Sequence, residues 1–196
     1  MSKRIAEVKR KTKETDISVK LNLDGKGNYT VATPDGFFTH MLELFSRHSL
    51  IDLEIKAKGD VAVDLHHTVE DVGICLGQAL GEALAEKKNI IRFGSILLPM
   101  DEALAEVSLD LSGRPYLVFN VQFKRLLKGG FDFDLVEEFF RALVNSARIT
   151  LHINLKYGKN NHHISEAIFK GFGFALRQAV KIEPRIKGIP STKGRL

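Results

Sequence analysis

The chain has 196 residues, of which 44% are hydrophobic and 27% charged, enough to bury about 70% of its unfolded surface in one compact domain or two small, closely packed ones. No apolar run approaches the roughly 18 residues of a membrane span, and the basic N-terminal stretch lacks the apolar segment of a secretory signal. We therefore expect a cytoplasmic protein with no membrane partner. The formal charge of +5 lies mainly at the two ends; without tryptophan or a basic-aromatic reader motif, it indicates a phosphorylated small molecule or simple solubility rather than nucleic acid.

Four of the elements predicted for the first half can be assigned residue ranges. Alternating apolar and polar residues indicate a half-buried strand over residues 17–25. A helical pattern follows over 33–48, and a second strand over 50–55. Apolar residues at steps of four then predict a helix with one buried face that opens at the pair His66 and His67.

The second half repeats this order. Residues 105–113 match the first strand, 133–147 the first helix and 148–153 the second strand. From Asp64 onward each residue matches the one 96 positions later, so the last helix also opens at a pair of histidines. The chain is therefore an internal duplication.

Each half is predicted to run strand, strand, helix, strand, helix, with a joint near residues 86–94. Short strands beside helices that cover one sheet face favour an α+β fold, in which the helices pack between two mixed β-sheets. We take residues 1–90 and 91–196 as the two halves of one compact subunit. The only cysteine, Cys75, cannot form an internal disulfide and is expected to be a buried, inert thiol.

The motif HHxxE occurs at residues 66–70 and again at 162–166. Side chains three or four positions apart share a helix face, whereas adjacent ones point about 100° apart. His66 is therefore predicted to face the same way as Glu70, while His67, also within reach of Glu70, turns toward a different ion. A single copy would more often be a solvated helix start. Its duplication favours two metal sites, each taking one histidine from each pair.

The repeat also pairs His40 with Glu138 on the first helix of each half, which completes a predicted set of eight metal ligands, four per metal. A six-coordinate ion would keep two positions for water or substrate, which is typical of a catalytic site. Imidazole and carboxylate without thiolate suit Mn, Fe or Zn, and octahedral geometry favours Mn or Fe. The eight are His40, His66, His67, Glu70, Glu138, His162, His163 and Glu166.

Five segments carry a family resemblance: DGFFTHMLELFSRHSLIDLEIKAKGD, DLHHTVEDVGICLGQAL, PMDEALAEVSLDLSGRP, YGKNNHHISEAIFKGFGFALRQAV and IPSTKGRL. Together they resemble the imidazoleglycerol-phosphate dehydratases, lyases of histidine biosynthesis. The resemblance implies a duplicated α+β subunit, about two Mn²⁺ per subunit held at subunit contacts, and a homo-oligomer of about 24 subunits. One departure is Glu138, where many members of the family carry histidine.

The resemblance implies removal of water from D-erythro-imidazole-glycerol phosphate to give imidazole-acetol phosphate. A poorly acidic C–H proton and a hydroxyl must leave, so metal ions on the imidazole nitrogens would assist. Glu14 is carried over from the family as the candidate acid–base or substrate-positioning group, with Asp101 and Glu102 as weaker candidates in the second half. Four of the metal ligands are expected to be catalytic as well: His67, Glu70, His163 and Glu166.

The phosphate of such a substrate requires cations and hydroxyls. Lys170 lies four residues after Glu166 and so on the same helix stripe, which predicts that it reaches the site. His48, whose repeat mate is Ser146, is left open between a structural and a substrate-binding role. Arginine suits bidentate phosphate contacts, and a tail rich in glycine and proline can fold over a ligand. The resemblance accordingly adds Arg92, Arg114, Ser191 and Lys193 as substrate-binding residues.

Two other functions are kept open at this point. A metal-storing assembly protein would lack phosphate-binding residues, which Lys170, the two arginines and the tail oppose. A di-metal phosphoesterase would hydrolyse the phosphate and leave the imidazole intact.

Overall fold

The computed structural model describes residues 4–124 and 130–196. Within these ranges the elements follow the same order twice. The first half contains β1 (Ile5–Lys11), β2 (Thr15–Asn22), β3 (Tyr29–Ala32), α1 (Gly36–Ser49), β4 (Asp52–Gly59) and α2 (His66–Leu84). The second half contains β5 (Phe93–Met100), β6 (Ala103–Asp110), β7 (Tyr116–Asn120), α3 (Asp134–Ala147), β8 (Thr150–Tyr157) and α4 (Asn161–Ala179).

Each half builds its own four-stranded sheet. The strand order is β1-β2-β4-β3 in the first sheet and β5-β6-β8-β7 in the second. Three strands of each sheet pair antiparallel, whereas β3 and β7 run parallel to β4 and β8. The predicted α+β duplication with two mixed sheets is confirmed.

The helices lie between the sheets, as predicted. α2 packs on β1 and β2, α4 packs on β5 and β6, and the two layers meet where α1 contacts α4 and α2 contacts α3. Along β2, Ile17, Val19 and Leu21 point into this core while the residues between them face outward. Phe45 of α1 stacks on Phe172 of α4 with ring centroids 5.3 Å apart. Each such side chain contributes about 1.5–3 kcal/mol when fully buried.

Each half has three strands before its first helix, rather than the two predicted. β3 is only four residues long and mostly exposed, so it carries almost no hydrophobic pattern. Strands β4 and β8 begin two residues later than predicted, because Leu50 and Arg148 end the preceding helices in the left-handed conformation, with φ of 60° and 53°. The division predicted at residues 90 and 91 lies in the connection from α2 to β5 and stays a prediction.

Glycines allow the helices of the two halves to approach closely. A Cβ atom at Gly77 of α2 would lie 2.5 Å from the carbonyl oxygen of Leu143 in α3. At Gly173 of α4, 96 positions later, it would lie 3.0 Å from the carbonyl oxygen of Phe45 in α1. The α2–α3 and α1–α4 contacts are therefore two copies of one packing arrangement.

Two further expectations can be compared with the structure. Cys75 is buried, as predicted, and burial raises the pKa of its thiol to about 11, which supports the expectation of an inert thiol. Among the helices in the described ranges, none combines the length and the hydrophobicity that crossing a membrane would require.

Candidate metal centre and phosphate groove

Three metal-capable side chains meet where the start of α4 packs beside α1. His40 comes from α1, while His162 and Glu166 lie one turn apart on α4. Nε2 of His162 lies 2.9 Å from Oε1 of Glu166, and Nε2 of His40 lies 3.8 Å from the same oxygen. The three ligand atoms all lie within 4.8 Å of one another. Atoms that bind one ion at about 2.1 Å are about 3–4.2 Å apart, so this cluster needs little adjustment to hold a metal.

Local sequence fixes the start of both helices that carry this cluster. The side chain of Asp35 accepts a hydrogen bond from the backbone N–H of Phe38 at 2.7 Å and so caps α1. Asn160 accepts one from the backbone N–H of His162 at 2.9 Å and caps α4. The caps set the phase of each helix, and thereby the face on which His40 and His162 stand.

Glu166 is the most buried member of the cluster, with 8% of its surface exposed. Burial acts to raise the pKa of Glu166, but the hydrogen bond from Lys170 and the charges of Lys170, His162 and His40 outweigh it, and the pKa is lowered. Nζ of Lys170 lies 2.5 Å from Oε2 of Glu166, as the helical spacing predicts. An ionised carboxylate and two imidazoles form a donor set that first-row divalent metals favour.

The equivalent residues of the other half are His66, Glu70 and Glu138, at the contact of α2 with α3. In the ranges that the structure describes, they do not gather into a second cluster of comparable tightness. Glu138 lies 3.7 Å from Arg141 on its own helix, and Glu137 pairs with the same arginine.

The second histidine of each pair turns away from its helix neighbour, as predicted. Nδ1 of His67 lies 3.1 Å from Oδ2 of Asp60, and Nδ1 of His163 lies 2.6 Å from Oε2 of Glu102. The hydrogen bond that His67 donates to Asp60 raises the pKa of His67, and the one that His163 donates to Glu102 raises the pKa of His163. In return, His163 and the backbone N–H of Asn160 lower the pKa of Glu102 to about 2.

Glu14 lies in the turn between β1 and β2 and is exposed. The pKa of His67 is raised mainly by the hydrogen bond that the ring donates to Asp60, and the negative charge of Glu14 raises it further. The candidate acid–base group is therefore close to the His67 side of α2.

His48 occupies the last turn of α1, with its ring 5.3 Å from the ring of Phe174. Burial lowers the pKa of His48, and the positive charges of Lys170 and Arg47 lower it further. The ring is therefore neutral near pH 7. Its position beside Lys170 leaves the predicted substrate-binding role open.

A second candidate site is a groove of about 570 Å³ formed by the C-terminal tail and the start of β5. Nε of Arg92 donates to Asp110 at 2.7 Å, and Nη1 donates to the carbonyl oxygen of Pro190 at 2.9 Å, which holds the tail in place. Arg195 adds a further cation to the wall. The groove brings together the four residues that the resemblance assigns to phosphate binding: Arg92, Arg114, Ser191 and Lys193.

The groove and the metal cluster lie at opposite ends of α4. The backbone N–H of Arg92 donates to the carbonyl oxygen of Ala179, the last residue of α4. His162 is the second residue of the same helix. At 1.5 Å per residue, the two ends are about 25 Å apart. Within one chain, a small ligand cannot contact both sites.

Sequence reasoning did not identify Asp60 and ranked Glu102 low. Glu102 acts on a histidine 61 positions away along the chain and Asp60 on one 7 positions away, and neither carboxylate belongs to the HHxxE motif. Asp60 directly follows β4, and α2 begins six residues later at His66. A carboxylate at the end of the strand before a histidine pair was the sequence signal that could have identified Asp60.

Comparison with known proteins agrees with this geometry. The profile of the family "Imidazoleglycerol-phosphate dehydratase" matches residues 33–176. Proteins of that name from Alkaliphilus metalliredigens and Acetivibrio thermocellus are each 58% identical, over 95% and 97% of this chain and 96% and 97% of their own.

Solved structures extend the likeness to the fold. The imidazoleglycerol-phosphate dehydratase of Staphylococcus aureus is 44% identical with a TM-score of 0.82, over 91% of this chain and 99% of its own. The Pyrococcus furiosus enzyme, in complex with (S)-C348, is 42% identical with a TM-score of 0.83, over 96% and 100%. A duplicated fold, a His–His–Glu cluster and near full-length similarity all lead to one assignment: the chain belongs to the imidazoleglycerol-phosphate dehydratase family.

Proposed function

We propose that the protein is a hydro-lyase of histidine biosynthesis that dehydrates D-erythro-imidazole-glycerol phosphate to imidazole-acetol phosphate. The observation that carries the proposal is the cluster of His40, His162 and Glu166, found in a chain that belongs to this family. The cluster offers metal ligands, and the groove beside Arg92 offers cations for a phosphate.

The residues present fit a divalent metal. Glu166 is ionised and faces two imidazole nitrogens, with ligand atoms within 4.8 Å. We propose that the remaining candidates, His66, His67, Glu70, Glu138 and His163, complete the set of eight for about two Mn²⁺ per subunit. Bound to the imidazole of the substrate, such ions supply Lewis-acid polarisation.

The protein's own groups orient the substrate and move the proton. Lys170 and the groove cations would hold the phosphate, since arginine and lysine form charge-assisted hydrogen bonds with its oxygens. His48, neutral near pH 7, would line the same region without adding charge. Glu14, the exposed carboxylate near His67, is the proposed base for the C–H proton.

The separation of the two candidate sites supports an oligomeric enzyme. Imidazoleglycerol phosphate is about 10 Å long, comparable to three extended residues, whereas the metal cluster and the groove are about 25 Å apart. A site that uses both must take the cluster from one chain and the groove from another. We therefore propose a cytoplasmic homo-oligomer, of about 24 subunits by the family resemblance, with active sites at subunit contacts.

The test is to incubate Mn²⁺-loaded protein with imidazoleglycerol phosphate and to follow the ketone product and inorganic phosphate separately. We expect ketone to form in proportion to enzyme, without phosphate release, and to disappear in the Glu14→Gln variant. Release of inorganic phosphate instead would establish a phosphoesterase. Bound metal without either product would establish a storage protein, and both results would overturn the proposal.

A further inference from the structure

His67 and His163 share one detail of orientation. Each ring directs Nδ1 at a carboxylate: His163 at Glu102, 2.6 Å away, and His67 at Asp60, 3.1 Å away. Nε2 of His163 lies 3.7 Å from Asp101, beyond hydrogen-bond distance. Among the residues that the structure describes, neither Nε2 has a hydrogen-bond partner. Both rings therefore present a free Nε2.

Glu102 is held in place by the start of α4. Its Oε1 accepts hydrogen bonds from the backbone N–H groups of Asn160 at 2.7 Å and Lys159 at 3.1 Å. Oε2 is left for His163. An ionised carboxylate can only accept, so in the neutral imidazole that binds a metal Nδ1 carries the proton and Nε2 keeps its lone pair.

The carboxylate that bonds to Nδ1 of the second histidine comes from a different position in each half. Gly59 and Gly158 are equivalent, because each packs against the residue two positions after the first histidine of the following pair. The counterpart of Asp60 in the second half is therefore Lys159, which has no carboxylate. Only the first half can use Asp60 to orient its histidine.

The converse holds at the hairpin between the first two strands of each sheet. The alignment of residues 17–25 with 105–113 places Glu14 opposite Glu102. Glu102 bonds to its histidine, whereas Glu14 is exposed, and its side chain makes no hydrogen bond within the described ranges. Because Asp60 accepts the hydrogen bond from Nδ1 of His67, Glu14 is not needed to orient that ring.

We propose that Glu102 and Asp60 are positioning residues, each fixing the Nδ1–H tautomer of its histidine so that Nε2 of His163 and of His67 is presented to a metal ion. The inference rests on the proposed function, in which both histidines are ligands. It also explains why Glu14, unlike its counterpart Glu102, is available to move a proton.

The test uses Glu102→Gln in the full-length protein. The glutamine oxygen can still accept from the backbone N–H groups of Asn160 and Lys159, so the contact with the start of α4 is kept. Its NH₂ group must then face His163 and donate to Nδ1, which moves the ring proton to Nε2. The matched control is Glu106→Gln on β6, four positions after Glu102, which removes a carboxylate paired with Lys156 at 2.5 Å.

Two measurements read the result. Titration of metal-free protein with Mn²⁺ should show affinity lowered by about 10- to 100-fold in Glu102→Gln and unchanged in the control. Nitrogen-15 NMR of histidine-labelled, metal-free protein should show the proton of His163 on Nδ1 in the native chain and on Nε2 in the variant. Native affinity in Glu102→Gln, or an unchanged tautomer, would overturn the positioning role.

His163→Ala separates this inference from the proposed function. If His163→Ala loses Mn²⁺ but Glu102→Gln binds it normally, the ligand is correct and the positioning role is wrong. If His163→Ala binds Mn²⁺ as tightly as the native protein, His163 is no ligand, and both the positioning role and the proposed ligand set are wrong.

The first half has its own test. Asp60→Asn should weaken Mn²⁺ binding as Glu102→Gln does. The control is Asp16→Asn, at an exposed aspartate paired with Lys11.

Discussion

Lys170 and Glu166 show how a buried charge is accommodated at the candidate metal centre. Glu166 is 8% exposed, and an isolated carboxylate at such a position would be protonated. Lys170 neutralises it at 2.5 Å and also approaches Sδ of Met100 at 3.4 Å. A divalent ion would take over part of this role, which would leave Lys170 available for a phosphate.

The role of Glu138 can be tested by substitution. If Glu138 is a ligand, Glu138→Ala should lose one of the two ions per chain and most turnover, whereas Glu138→His should keep both ions, since imidazole can replace carboxylate at a first-row metal. Glu137→Ala is the control, because Glu137 pairs with the same Arg141. Metal content and dehydration rate are measured side by side. Two retained ions and normal rates in Glu138→Ala would remove it from the ligand set.

The lowered pKa of His48 predicts a pH dependence of stability. Below pH 6.5 the unfolded chain takes up a proton at His48, but the folded chain does so only below the lowered pKa. The free energy of unfolding should therefore be highest above pH 6.5 and should decrease as the pH is lowered from 6.5 to the lowered pKa of His48. His48→Gln should flatten this part of the profile. Denaturant titrations of metal-free protein at fixed concentration measure the free energy of unfolding at each pH; identical profiles for the native chain and the variant would refute the prediction.

At the scale of the helix, Gly77 and Gly81 of α2 should respond oppositely to alanine. A methyl group at Gly77 would lie 2.5 Å from a backbone oxygen of α3, whereas at Gly81 it meets nothing within 4 Å. Gly77→Ala should therefore cost about 1–3 kcal/mol in unfolding free energy. Gly81→Ala should gain up to about 1 kcal/mol, because alanine favours helix. Equal effects at both positions in denaturant unfolding would contradict the close approach.

The elements differ in how well sequence predicts them. α2 and α4 could be predicted to begin at their histidine pairs, because a 3.6-residue period and a repeat mark the same place. β3 could not, since four mostly exposed residues produce no pattern. The pairing of His163 with Glu102 depends on which hairpin lies beside α4, and sequence spacing does not contain that information.

For the whole molecule, sequence could predict two matching halves but not the distance between their sites. Helix spacing predicted Lys170, and the resemblance implied the groove residues, as ligands of one phosphate. The structure locates Lys170 beside Glu166 and the groove beyond the far end of α4. The direction of α4 in the structure shows that one chain cannot bring both Lys170 and the groove residues to the same phosphate.

Mixed oligomers test whether two chains share each site. Lys170→Ala and Lys193→Ala chains should each be poorly active alone. If a site takes Lys170 from one chain and Lys193 from another, equal mixtures reassembled from subunits should recover about a quarter of native activity, because random pairing leaves that share of sites intact. Mixing without reassembly is the control. No recovery after confirmed subunit exchange would place both lysines in one chain's site.

The burial of Cys75 has a practical consequence for studying such an assembly. With its thiol inside α2 and its pKa near 11, the native chain offers almost no thiolate to a maleimide at neutral pH. A cysteine introduced at an exposed position such as Val63, 69% exposed, should therefore take a fluorophore selectively without removal of Cys75. Donor- and acceptor-labelled chains would then report subunit exchange directly by energy transfer.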